Sequence, residues 1–441
     1  MNAAPQRPSP LVAWYAVGVL MIAFIFSFLD RLILSLLVPP IMRDLQIDNF
    51  AIGLLGGLYF AVFYALMGLP IGRLADRSSR RLIVAAGIFL WSLMTAACGL
   101  ARNFWHLALA RVGVGVGEAT LSPCAYSLIS DYFPKDRIGT ALGVFQCAAF
   151  IGAGIAFLVG AQVIELVAAI PFDRLPPTLA DLLTQFKPWQ LAFIIVGLPG
   201  VLVALLALTM REPPRQGLMQ GVEQKIPWPD VIAFFSKRWR MFLAHFFGFA
   251  ILAAPIANLL LWGPTHLIRN LGYTASEAGQ YLGWILLICS PTAVFAGGWF
   301  TDFLRRRGRV DAPLWVGIIA AAALTPLCLV TTQLDSPFWT MVLFCPYAFF
   351  GCFAVASGPA ALQLVTPNQL RATVSAVWML ALNILSAIAG PTAVGFVIDS
   401  VFGYNEAVGS SIALVGAIAS PIACLFLFYG LKHFRAAARN A

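Results

Sequence analysis

The sequence is poor in charge. Only 11% of its 441 residues are Asp, Glu, Lys or Arg, while 60% are hydrophobic and the mean hydropathy is +0.86. A soluble globular domain carries about 25% charged residues, so that class is excluded. Histidine is scarce as well. The four present, His106, His245, His266 and His433, have no metal-ligand spacing and belong to no Ser-His-Asp arrangement; His266, near the outer end of its run, is a secondary proton-relay candidate. The eight cysteines all lie in apolar runs and form no C-x-x-C pair. They read as small core residues rather than a disulfide frame or a metal site. No enzymatic constellation, metal or cofactor is therefore expected. The net charge is +9, but the basic residues are scattered over short turns, which excludes nucleic acid as a partner and points to lipid headgroups.

What the sequence has in place of charge is long apolar runs, twelve in number, each near the roughly 20 helical residues needed to cross a bilayer core about 30 Å thick. The expected class is an all-α, multi-pass protein of the cell membrane with twelve transmembrane helices. The first run, Leu11 to Val38, is too long for the h-region of a signal peptide and lacks a small-residue cleavage site, so it is expected to span the membrane. Only Arg43, Arg102, Arg174, Lys187 and Arg269 fall on the side away from the termini. The positive-inside bias then places both termini in the cytoplasm.

Two long connections stand out. "REPPRQGLMQGVEQKIPWPDVIAFFSKRWR" (Arg211 to Arg240) is Pro-rich and charged, and it divides the chain into 1–210, a linker at 211–240, and 241–441. Its last part, "DVIAFFSKRWR", mixes apolar and basic positions and suits an amphipathic helix at the interface. Between the fifth and sixth runs, "PTLADLLTQF" reads as a short surface helix.

The halves repeat. Gly72, Asp76, Arg80 and Arg81 in "GRLADRSSRR" match Gly298, Asp302, Arg306 and Arg307 in "GWFTDFLRRR" at one constant offset. "FPKDRIGTALG" after the fourth run is echoed by "TPNQLRATVSA" after the tenth. A parallel repeat of six helices each follows.

Four charges lie inside apolar runs: Asp30 and Arg31 in the first, Arg111 and Glu118 in the fourth. Such charges cost several kcal/mol unless they pair or face water, so they are functional candidates by default. The alternative is a buried ion pair that only locks the two runs together. "GVGVGE" lies mid-run with no strand before it and reads as helix packing around Glu118 rather than a dinucleotide loop. Pro123, Pro255, Pro264, Pro291, Pro359 and Pro391 read as bends.

At this point the chain resembles the major facilitator superfamily over essentially its whole length. "GRLADRSSRR" follows that superfamily's G-x-x-x-D-R-x-G-R-R loop, with Ser79 where glycine is usual. The resemblance implies two six-helix bundles in which helices 1, 4, 7 and 10 line a central cavity. It also implies a cytoplasmic gate at Gly72, Asp76, Arg77, Arg80 and Arg81, repeated at Asp302, Arg306 and Arg307. "LDR", "RVGVGVGEA" and "SDYFPKDR" are similar to the Spinster family, which is associated with lysophospholipids and sphingosine phosphate. Ser27 stands where animal Spinster proteins tend to have asparagine, and the fifth run has glycines without the antiporters' Gly-Pro.

The expected activity is proton-coupled secondary transport by alternating access. Asp30 and Glu118 would exchange protons, while Arg31 and Arg111 attract an anionic headgroup. Asn258, Gln363, Asn383 and Trp378 are the substrate-binding candidates of the second half. The expected substrate is a lysophospholipid-like amphiphile or, alternatively, a small organic or sugar acid. Protons and membrane lipids are the other expected partners of a chain acting as a monomer.

Overall fold

The structure, a computed structural model, describes residues 8–134, 137–171, 173, 176–215, 228–367 and 370–439, with the Asp76 side chain outside that description. The middle of the expected linker thus lies outside the described residues. Every regular element among the described residues is a helix.

In unit 1 these are α1 (Pro10–Leu36), α2 (Asn49–Ala75), α3 (Arg80–Cys98), α4 (Phe104–Glu118), α5 (Leu121–Tyr132), α6 (Ile138–Ala168) and α7 (Pro188–Leu208). There follow α8 (Trp228–Lys237), α9 (Trp239–Leu271), α10 (Ala275–Arg306), α11 (Ala312–Thr331), α12 (Pro337–Val365), α13 (Thr373–Phe402) and α14 (Val408–Arg439). Short helices form at Pro177–Leu183, where "PTLADLLTQF" reads as a short surface helix, and at α8, which takes in the first part of "DVIAFFSKRWR".

Eleven of the described helices are long and apolar enough to cross a bilayer. The fourth run, expected from Phe104 to Ser130, is broken: α4 ends at Glu118 and α5 begins at Leu121, leaving two pieces each shorter than a bilayer crossing. The break falls where glycines force helices together. A Cβ on Gly87 would lie 1.8 Å from Thr120 Oγ1, and one on Gly117 would lie 2.8 Å from the Trp91 backbone nitrogen. Close packing of α3 on α4 therefore brings Glu118 against the core of unit 1, as the glycine run suggests.

Helix starts are set by local chemistry. Asp48 accepts from the Ala51 N–H at 2.8 Å to open α2, and Asn103 accepts from His106 N–H at 2.9 Å to open α4. Ser79, in extended backbone with φ −67°, caps α3. The turn there needs no left-handed residue, so serine serves where glycine is usual. Backbone breaks accompany the prolines: α9 is interrupted at Ala253 before Pro255, α12 at Ala354 to Ala356 before Pro359, and α13 holds Gly390 at φ −110°, ψ −108° before Pro391.

Contacts divide the chain into two compact units, Met1–Gln220 with Tyr273–Leu287, and Gly221–Gly272 with Ile288–Ala441. The first turns of α10 thus pack with unit 1, where Gly279 and Gly283 allow close approach to Phe157 and Leu158 of α6. Within unit 1, α1 runs along α6, and Gly152 and Gly160 admit Phe28 and Leu36. Its core gathers Leu20, Trp91, Leu128 and Phe145. In unit 2, α14 is the central post against α9 and α11.

The cysteines correct one expectation. Cys98, Cys124, Cys328 and Cys352 are buried, but Cys147 on α6 is exposed. An apolar run that spans a membrane can turn one face to lipid, so hydropathy does not imply burial within the protein.

Candidate functional site

Asp30 and Arg31 are adjacent on α1 and so project about 100° apart, which sends them to different partners. The Arg31 guanidinium turns to α4, where Nε donates to Glu118 Oε2 at 2.7 Å and Nη2 donates to the same oxygen. Its plane also lies over Phe60, 4.4 Å from the ring centroid, with Phe28 and Tyr64 at 5.3 and 5.2 Å. Aromatic faces of this kind stabilise a partly desolvated cation by roughly 0.5–2 kcal/mol. Arg31 keeps 24% of its side chain exposed, against 1% for Glu118. It is the more exposed of the two cations in the cluster, Arg111 being 1% exposed.

Arg111 does something else. Its Nη1 donates to the Asp30 carbonyl at 3.0 Å and Nη2 to the Arg31 carbonyl at 3.4 Å, and the residue is 1% exposed. It ties the backbone of α1 to α4.

Asp30 is fully buried, and neither carboxyl oxygen has a hydrogen-bond partner among the described residues. Trp91 and Thr95 of α3 adjoin it, and the charges of Glu118 and Arg111 reach it. Glu118 Oε1 is likewise unpartnered. An acid without hydrogen-bond partners in an apolar setting is a costly arrangement.

The loop after α2 forms a second charged cluster. Arg80 was expected on a turn; it is 1% exposed instead. It donates to Asp131, to Ser127 Oγ at 2.9 Å, to the Pro213 carbonyl at 3.1 Å and to Glu212 Oε1 at 2.8 Å. Glu212 also accepts from Ser79 Oγ and from the Arg81 N–H, each at 2.9 Å. The Arg81 side chain donates to the Met210 carbonyl at 3.1 Å, and Arg215 donates to the Ala75 carbonyl at 2.7 Å. The segment after α7 is thus folded over the α2–α3 turn. Burial pushes the Glu212 carboxyl up, but the bonds from Arg81, Arg80 and Ser79 outweigh it and hold the group below its ordinary value. Arg77 is exposed, and Gly72 has open space around its Cα. In unit 2 the matching Asp302, Arg306 and Arg307 are exposed, with Arg307 over the Phe303 ring at 4.2 Å.

The candidates in unit 2 are not brought together. Asn258 is fully buried beside the Gly390–Pro391 break, its amide unpartnered on both ends. Trp378 lies about thirteen residues of helix away, roughly 20 Å, caged with His245, Phe246 and Phe249. Gln363 is exposed and donates to Ser375 Oγ at 3.4 Å, and Asn383 donates to the Met379 carbonyl of its own helix at 2.8 Å. His266 is buried against Asn270.

Sequence reasoning missed Glu212, Asp131, Trp91, Thr95 and the Phe60–Tyr64 platform. Glu212 had a signal, being an acid flanked by arginines in "REPPR" where an apolar run ends. The aromatic and threonine partners had none, since each reads as ordinary helix filling.

The major facilitator superfamily model matches residues 20–391, and the chain belongs to that superfamily; it is a multi-pass membrane transporter. Within it the chain is Spinster-like. It superposes with TM-score 0.80 and 26% identity on a bacterial homologue of the human lysosomal transporter Spinster, with 98% of each chain covered. It is 29% identical to an MFS-type efflux pump of Mycolicibacterium smegmatis, over 98% of this chain and 95% of that one. It is 24% identical to a probable L-galactonate transporter of Escherichia coli, over 94% and 88%.

Proposed function

We propose that the chain is a proton-coupled secondary transporter that moves a lysophospholipid-like or sphingosine-phosphate-like amphiphile by alternating access. The observation that carries this reading is the division of labour among four charges. Arg31 is partly exposed and held on an aromatic face, Glu118 is its buried counter-ion, and Asp30 is buried with no partner.

An anionic headgroup that engages Arg31 competes with Glu118 for it. A carboxylate that loses its counter-charge in an apolar site is costly and takes up a proton. Substrate and proton occupancy are thereby linked, with Asp30 as a second proton site one residue away. Arg111 acts on substrate only through α1, whose carbonyls it holds. In unit 2, Asn258 on α9 is the polar group this reading assigns to substrate, while Trp378 and Asn383 lie on α13 and Gln363 on α12.

The second reading, a carrier of small organic or sugar acids, has the E. coli L-galactonate relative in its favour. Arg31 would serve a carboxylate equally well. The gate role of Asp76, Arg77, Arg80 and Arg81 belongs to either reading.

Liposomes containing the full chain and an internal pH dye separate the two. A lysophospholipid is expected to drive proton flux that Glu118→Gln abolishes. Flux driven by L-galactonate alone would replace the first reading with the second, and flux that survives in Glu118→Gln would remove Glu118 from the proton path.

A further inference from the structure

Where α8 meets α9, unit 2 carries two clefts that share one residue, Trp239. One, of about 530 Å³, is lined by Lys237, Arg238, Arg240 and His433. The other, of about 580 Å³, is lined by apolar side chains that include Ile232, Phe235, Leu243, Phe247 and Val377. Both volumes fall within the roughly 300–1,000 Å³ of ligand pockets.

The chain builds this place deliberately. Arg238, with φ −118°, ends α8 and starts α9. It is spent on structure: it donates to the Val365 carbonyl at 3.2 Å and lies over the Phe234 ring at 4.6 Å. Lys237 and Arg240 are exposed, and Arg240 stacks on Trp239 at 5.4 Å. His433 on α14 lies within electrostatic reach of both Arg240 and Lys432. Asp311, another acid of unit 2, is occupied by Arg435 at 2.6 Å. Asp230 sits at the far end of α8, about two turns away. No acidic side chain lines either cleft among the described residues.

We propose that unit 2 holds an anionic phospholipid here, with its phosphate among Lys237, Arg240 and His433 and an acyl chain along the Phe235–Leu243–Val377 groove. Charge and position both select this occupant. The cationic cleft stands at the end of a membrane-spanning helix, where headgroups lie and where tryptophan is favoured, and the groove continues from it along α9. A soluble anion would use the first cleft and leave the second uncovered. A zwitterionic lipid would use the second and gain nothing net from the first. The site lies in unit 2, apart from the Arg31–Glu118 cluster of unit 1, and its occupant does not depend on which substrate is carried.

Native mass spectrometry of the purified full chain, titrated with dioleoyl-phosphatidylglycerol, dioleoyl-phosphatidylcholine or inorganic phosphate, reads the site directly. Phosphatidylglycerol is expected to bind most tightly, and the exposed pair Lys237→Gln with Arg240→Gln should weaken it roughly tenfold. Leu243→Trp, which fills the groove and keeps the charges, should weaken it as well, and Glu118→Gln should leave it unchanged. Equal binding of phosphatidylcholine, phosphate binding as tight as that of phosphatidylglycerol, or undiminished binding by the double variant would overturn the proposal.

Discussion

Arg80 and Arg306 hold matching places in the two halves of the sequence and have opposite surroundings. Arg80 is 1% exposed and bound to two carboxylates, while Arg306 is exposed. The difference follows from the neighbours each half supplies. Alignment of "FPKDRIGTALG" with "TPNQLRATVSA" puts Leu364 where the first half has Asp131. Glu212 comes from the segment after α7, which has folded back over the turn. Repetition has kept the loop's own residues, but a buried arginine needs acids from elsewhere, and only unit 1 provides them. The membrane-spanning parts differ in the same way: unit 1 buries Asp30, Arg111 and Glu118, whereas unit 2 buries the uncharged Asn258 and the caged Trp378.

The largest expected effect tests the loops. Arg80→Ala removes the buried cation that Asp131 and Glu212 share and should cost about 3–5 kcal/mol, while Arg306→Ala should stay within about 0.5 kcal/mol. Unfolding midpoints in detergent read both, and similar losses would mean that the copies are equivalent after all. Next is the contrast between charged and neutral cores. Arg31→Leu should cost about 3 kcal/mol by leaving Glu118 unpaired, and adding Glu118→Leu should recover most of it. Asn258→Leu, which removes an already unpaired amide, should leave stability nearly unchanged while lowering transport.

The pH dependence of the unit 1 clamp is a smaller effect. Glu212 is held below its ordinary value in the folded chain. Its contribution is therefore present above the unfolded pKa of about 4.3 and is lost as pH falls through the lower folded value. The stability gap between the native chain and Glu212→Gln should be open above about pH 5 and close in stronger acid. A gap that widened in acid would reverse the assignment. Smallest is Ser79→Ala, expected to cost about 1 kcal/mol as a lost cap; an equal loss from Ser79→Gly would show that the Glu212 bond, not the cap, carries the effect.

Much of the fold was legible because hydropathy is a sum along the chain. The apolar runs, the amphipathic α8 and the helix at Pro177–Leu183 could each be read from a short window. The break after Glu118 was not, because glycines in an apolar run favour close packing without saying which neighbour arrives. The four charges of the site were visible for the same reason that they are costly. Their pairing was not, since Asp30 and Arg31 have nearly the same sequence context and differ in direction by one helical step.

By itself, the sequence determined that the chain crosses a membrane many times, that its halves repeat, and that Asp30, Arg31, Arg111 and Glu118 lie in apolar runs of the first half. The tertiary structure decided that Arg31 meets Glu118 across 87 residues, that Arg111 is spent on backbone carbonyls, that the Asp30 carboxyl finds no hydrogen-bond partner among the described residues and that Arg80 is buried. Composition and periodicity set the local cost of placing a group in a helix. Which partner offsets that cost depends on helix rotation and on glycine-controlled distances between helices, and these exist only once the helices have packed.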